Sequence, residues 1–155
     1  MIYVFDSDTM IDLFRHYYLE RFPTLWHNFD NLVSNSKIIS VSEVGKELED
    51  YEDRLSEWVK NHREFFLIPT SAEFDFVADI FKIAHFQAMV RKKERLQGKP
   101  VADPFVIAKA KISEGCVVTQ EKLKENAAQI PNVCKHFAIP CINLEGFMEK
   151  EGWQF

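Results

Sequence analysis

A small set of oxygen-bearing side chains falls where apolar segments end. The run Ile2–Phe5 closes on Asp6, and Asp8 follows two residues later. Glu43 and Glu47 come just after a second apolar run, Ile38–Val41, and their four-residue spacing puts them on one helical face. Asp103 precedes Pro104 after a loop, and Thr119 and Glu121 follow the run Cys116–Val118. Carboxylates brought together repel, which raises their pKa values unless a cation neutralises them. Hard oxygen ligands without histidine or cysteine suit Mg²⁺ or Mn²⁺. One or two such ions can activate water and stabilise the charge that develops on a phosphodiester during in-line displacement. Each acid also has an ordinary role open to it. Asp6 and Asp103 can be helix N-caps, and Glu43, Glu47 and Glu121 can be solvated helix acids.

The elements that would position these groups alternate along the chain. Residues 2–6 read as a buried strand, 8–20 as a helix, and a second helix starts at Pro23 with Leu25, Trp26, Phe29, Leu32 and Val33 at helical spacing. Residues 38–41 form a second strand. From Ser42, read as an N-cap, a long helix carries Val44, Leu48, Tyr51, Leu55 and Trp58 on one stripe. Residues 65–68 are a third strand, stopped by Pro69. A helix over 71–95 follows, capped by Thr70 or Ser71, with Phe74, Val77, Phe81 and Ala84 inward. Gln97-Gly98-Lys99-Pro100 breaks the chain. Asp103 then reads as N-cap and Pro104 as the first residue of another helix. Residues 116–119 are a fourth strand. A short helix, a helical turn after Pro131 and a fifth strand at 140–144 complete the pattern. Short apolar strands alternating with helices imply an α/β fold with a parallel sheet, in which sites form beyond the carboxyl ends of the strands.

Composition narrows the classes. The 155 residues fit one domain over 1–155, and 46% hydrophobic content is enough for a core. Short apolar runs predict neither a signal peptide nor a membrane helix, hence a cytoplasmic protein. Net charge is −5, which argues against a protein that coats DNA by charge alone. A local basic patch, Arg91, Lys92, Lys93, Arg95 and Lys99, can hold phosphates or be the solvated end of a helix. Cys116, Cys134 and Cys141 show no C-x-x-C pair and lie in apolar contexts, so they read as buried reduced thiols. Trp26, Trp58 and Trp153 read as core, with room left for an apolar interface.

The segments IYVFDSDTMIDLF, ISVSEVGKELE, ADPFVIAKA and CVVTQEK, in this order, resemble the PIN-domain ribonucleases, which include the VapC-type toxins. The tail IPNVCKHFAIPCINLEGFMEKEGW is similar to a bacterial PIN-like subgroup. The resemblance spans nearly the whole chain. It implies a three-layer sandwich around a mostly parallel five-stranded sheet, and cleavage of RNA with Mg²⁺ or Mn²⁺. It further implies metal binding by Asp6, Glu47, Asp103 and Glu121, with Glu43 and Asp8 as alternates. Thr119 would orient a carboxylate, and Arg91, Lys92, Lys93, Arg95 and Lys99 would contact RNA. Where the family often has T-x-D, this chain has Thr119 and Glu121. The implied partners are an RNA substrate, an antitoxin protein and a second copy of the chain in a homodimer, with no membrane.

Three other readings fit parts of the pattern. A receiver domain would need an aspartate ending a middle strand and a lysine ending the last, and neither stands there. A dehalogenase-like phosphatase would match Asp6-Ser7-Asp8-Thr9, but its threonine lies one residue further on and its later acidic pair is missing after Val118. A PIN-like fold that only binds RNA or protein agrees with Glu121 and with the negative charge.

Overall fold

The computed structural model describes residues 1–51, 53–89 and 101–155. The elements are β1 (Tyr3–Phe5), α1 (Ser7–His16), α2 (Pro23–Ser34), β2 (Ile38–Val41), α3 (Ser42–Leu48), α4 (Arg54–Asn61), β3 (Phe66–Leu67), α5 (Ser71–Phe81), α6 (Asp103–Ser113), β4 (Cys116–Val118), α7 (Ile130–His136), β5 (Cys141–Ile142) and α8 (Leu144–Glu151). Short 3₁₀ turns occupy Arg63–Phe65 and Ala84–Gln87.

The five strands lie in the order β3-β2-β1-β4-β5, and every pairing is parallel. β1, β2 and β4 are buried throughout, which is why they read as unbroken apolar runs. Right-handed crossovers send the connections of β1→β2→β3 over one face and those of β3→β4→β5 over the other. On the first face Phe29 of α2 meets Phe5, and α8 brings Phe147 edge-on to Tyr3 and Phe5. On the second face α6 covers β1 and β2 and packs against α5 and α7. The result is the α/β three-layer arrangement, a central parallel sheet flanked by helices, that the resemblance implies.

Several local expectations are corrected. The long helix from Ser42 is two helices, because Asp53 starts α4 with a reciprocal cap to Ser56 and Tyr51 is left exposed. The helix over 71–95 stops at Phe81, whose carbonyl accepts from Gln87 Nε2 at 2.8 Å, while Ile83 is extended. Its inward stripe is Glu73, Phe76, Val77 and Ile80, and Phe74 is outside against Phe105. The rotation follows from Glu73, drawn inward by Thr70 and by Lys109 of α6. Ser42 and Asp103 are first-turn residues, and Val41 and Ala102 hold the N-cap positions. The stretch after Thr119 forms no helix before Ile130, and Leu144 begins α8 instead of ending β5. Cys141 is half-buried, unlike Cys116 and Cys134. Of the tryptophans, Trp26 is buried, and Trp58 and Trp153 are partly exposed while packing against the core as expected.

Candidate active site at the carboxyl ends of β1 and β4

β1 and β4 are neighbours whose following segments leave for opposite faces, α1 for one and α7 for the other. A crevice opens at such a reversal of strand order. Asp6 and Thr119, the residues just past the two strands, meet there. Asp6 is 3% exposed and also serves as the N-cap of α1. Its Oδ1 accepts from Thr9 N at 2.9 Å and from Thr9 Oγ1 at 2.7 Å, and its Oδ2 accepts from Thr119 Oγ1 at 2.5 Å. Thr9 Oγ1 also lies 2.9 Å from the Val118 carbonyl, tying α1 to the end of β4. The capping reading and the site reading of Asp6 thus describe one geometry.

Burial pushes the Asp6 carboxyl up to about 7, against the lowering effect of the Thr119 and Thr9 hydrogen bonds, and Asp8 adds a smaller push. The compensating groups are neutral donors, so a cation at this carboxylate would relieve the desolvation directly.

Glu47 is brought to the same edge from α3. Its Oε2 accepts from Ser7 Oγ at 2.5 Å, one residue from Asp6. Glu43 is buried but turned to its own helix, with Ser42 Oγ 2.9 Å from Oε1 and Lys46 Nζ 3.8 Å from Oε2. Asp103 is buried in the first turn of α6. The Glu121 N–H donates to Thr119 Oγ1 at 3.1 Å, and Glu121 Oε2 accepts from the N–H of Ile130 at 2.8 Å, at the start of α7. Asp8 lies in the first turn of α1. Arg91, Lys92, Lys93, Arg95 and Lys99, expected to contact RNA, lie outside the described residues.

Sequence reasoning missed three supporting residues. Thr9 is fully buried against Asp6, and Ser7 holds Glu47. Gln120 donates to Asp12 at 3.1 Å and accepts from Leu144 N at 2.9 Å, joining α1 to α8. Thr9 carried a signal, since an N-cap acid bonds the residue three places on. Ser7 and Gln120 carried none, because their partners are remote in sequence. Elsewhere a cleft of about 590 Å³ is lined by Phe14, Trp26, Ile38, Trp58, His62 and Phe65, and none of the predicted acids borders it.

A family model described as "Domain of unknown function (DUF4411)" matches residues 3–155. The chain belongs to this family. No curated protein matches this DUF4411 chain. Among solved structures it is similar to VapBC2 from Rickettsia felis bound to a DNA fragment from their promoter. There 14% of residues are identical, 92% of this chain and 98% of that one are covered, and the TM-score is 0.48.

The donor chemistry of this DUF4411 site fits Mg²⁺ or Mn²⁺. Asp6 is a buried hard-oxygen donor, and Mg²⁺ is commonly held by one or two carboxylates with water and substrate oxygens. Asp6 would be the carboxylate that holds it at the crevice, and the resemblance implies Glu47, Asp103 and Glu121 as its partners. Among the described residues no three His, Cys, Asp or Glu side chains are grouped so as to hold a metal ion by themselves.

Proposed function

We propose that the chain is a divalent-metal-dependent ribonuclease that hydrolyses RNA phosphodiester bonds, and the toxin of a toxin–antitoxin pair. The observation that carries this reading is the buried Asp6 carboxylate at the β1/β4 crevice, held by Thr119 and Thr9. A bound Mg²⁺ or Mn²⁺ would supply Lewis acidity toward the phosphate and an activated water. Asp6 is fixed in rotation at both oxygens, and Glu47 is oriented by Ser7. Such preorganised carboxylates need little rearrangement on binding a cation. Thr119 orients Asp6, and Glu121 rigidifies the same edge by joining Thr119 to α7. Arg91, Lys92, Lys93, Arg95 and Lys99 would engage flanking phosphates. An antitoxin protein would restrain the activity in the cytoplasm, and the active species would be a homodimer.

The test is cleavage of a labelled RNA with Mn²⁺. The Asp6→Asn and Asp103→Asn proteins should keep their circular dichroism spectra and lose cleavage. Full activity in both would overturn the assignment.

A second reading, a non-catalytic RNA- or protein-binding module, is favoured by two observations. The Glu121 carboxylate already has the Ile130 N–H as a partner, and the aromatic-walled cleft offers a binding surface away from the acids. It predicts that Mn²⁺ leaves the melting temperature unchanged and supports no cleavage.

A further inference from the structure

The site above leaves two neighbouring nucleophiles unused. Cys134 is fully buried on α7, and Cys141 is half-buried at the start of β5. α7 packs on β5, and the last residues of α7 with the connection Phe137–Pro140 join the two cysteines.

Strand geometry separates the third thiol from this pair. Cys141 is the register partner of Val117, so the two share a face of the sheet. Cys116, the residue before Val117, takes the other face. Its register partner there is Tyr3, whose ring meets Phe147 of α8. Cys134 is fully buried where α7 lies on β5, so its side chain and that of Cys141 are neighbours in the layer between helix and sheet. Its neighbour Cys134 holds the Cys141 thiol below its ordinary value, against burial and the charges of Asp6 and Glu121, while Cys141 and burial raise Cys134. The more exposed sulfur is therefore also the one with more thiolate character, as a nucleophile needs.

We propose that Cys134 and Cys141 form a reversible intramolecular disulfide under peroxide, with Cys116 left as a thiol. The Cys141 thiolate attacks one oxygen of hydrogen peroxide. The O–O bond breaks, hydroxide leaves, and Cys141 becomes a sulfenic acid. The Cys134 sulfur then attacks the Cys141 sulfur, losing its proton as the S–OH bond breaks. The disulfide forms, and in total one peroxide is reduced to two waters while two thiols are oxidised. A dithiol reductant reverses the step. The bond ties α7, whose first N–H is held by Glu121, to β5 beside Thr119.

The experiment treats the full chain with hydrogen peroxide, alkylates it after denaturation, and maps the peptides by mass spectrometry. The expected result is a linked Cys134–Cys141 peptide pair, an alkylated Cys116, and full alkylation of all three after dithiothreitol. Cys134→Ser should leave Cys141 as a sulfenic acid trapped by dimedone. Cys141→Ser should abolish the disulfide. The map of the unmutated chain decides the matter even if a serine variant fails to fold. A bridge that includes Cys116, a bridge between two chains, over-oxidation of Cys141 without a bridge, or three alkylated thiols after peroxide has oxidised glutathione in the same tube would overturn the proposal.

Discussion

Thr119 Oγ1 donates to Asp6 Oδ2 at 2.5 Å across a sequence separation of more than a hundred residues, and so links the ends of β4 and β1. Replacing Thr119 with Val removes a donor from a buried carboxylate, which costs about 1–3 kcal/mol when the remaining group stays buried. Thr119→Val should therefore lose stability of that order in urea at pH about 8, whereas Thr119→Ser should lose much less. Equal stability of Val and wild-type proteins would show that the bond contributes nothing.

The Asp6 carboxyl has a defined pH signature. Its folded value of about 7 lies above the ordinary 3.8, so the folded state holds the proton more tightly. The stabilisation is fully present below 3.8 and is lost as pH rises to about 7, an effect of roughly 4 kcal/mol at most. Denaturation curves between pH about 4 and 8 should show this fall in the wild type and not in Asp6→Asn, which should be the more stable protein at the upper end. Added Mn²⁺ should recover part of the loss in the wild type alone.

Glu43 and Glu47 occupy different environments on one helix. Glu47 is held by Ser7 at the site edge, whereas Glu43 is paired within its own helix to Ser42 and Lys46. Under the nuclease reading Glu47→Gln should lower Mn²⁺-dependent cleavage by about 100-fold or more and Ser7→Ala by about 10–100-fold, the range for lost outer-shell support. Glu43→Gln should stay within about tenfold of wild type. Reversed rates for the two glutamine variants would move the ligand to Glu43.

A buried ion pair joins α5 to α6. Lys109 Nζ lies 3.3 Å from Glu73 Oε2, which also accepts from Thr70 Oγ1 at 2.8 Å, while Glu73 Oε1 has no hydrogen-bond partner among the described residues. Lys109→Met leaves a buried carboxylate without its cation and should cost roughly 3–5 kcal/mol. Adding Glu73→Gln to that variant should restore part of the loss, read from urea midpoints.

Gly115 is required for packing rather than for a turn. A Cβ there would stand 2.7 Å from the Ile2 carbonyl oxygen, beside the bond from Cys116 N to the same oxygen at 2.8 Å. The left-handed residue that ends α6 is Glu114, with φ of 56°. Gly115→Ala should shift β1 and destabilise by about 1–3 kcal/mol. Glu114→Gly should be neutral or stabilising by up to about 1 kcal/mol, since glycine adopts that backbone without strain. Thermal melts of both variants check the contrast.

Much of the fold was legible because its strands are buried on both faces and therefore read as unbroken apolar runs between helical patterns. β1, β2 and β4 fall where those runs stand, and Pro23 opens α2 as its fixed φ favours. The errors sit where side-chain hydrogen bonds outvote periodicity. Asp53 and Ser56 split one apparent helix, and Glu73 with Lys109 turns α5 so that Phe74 faces out.

Residue type and position marked Asp6, Glu43, Glu47, Asp103, Thr119 and Glu121 as the groups to watch, because a parallel sheet gathers its chemistry at one edge, and the resemblance to PIN-domain ribonucleases preferred Glu47 to Glu43. Tertiary structure alone decided how they pair: Asp6 with Thr119 and Thr9, Glu47 with Ser7, Glu121 with the start of α7. Strand register and the hand of the crossovers set those partnerships. Both arise from contacts distant along the chain, which local periodicity does not encode.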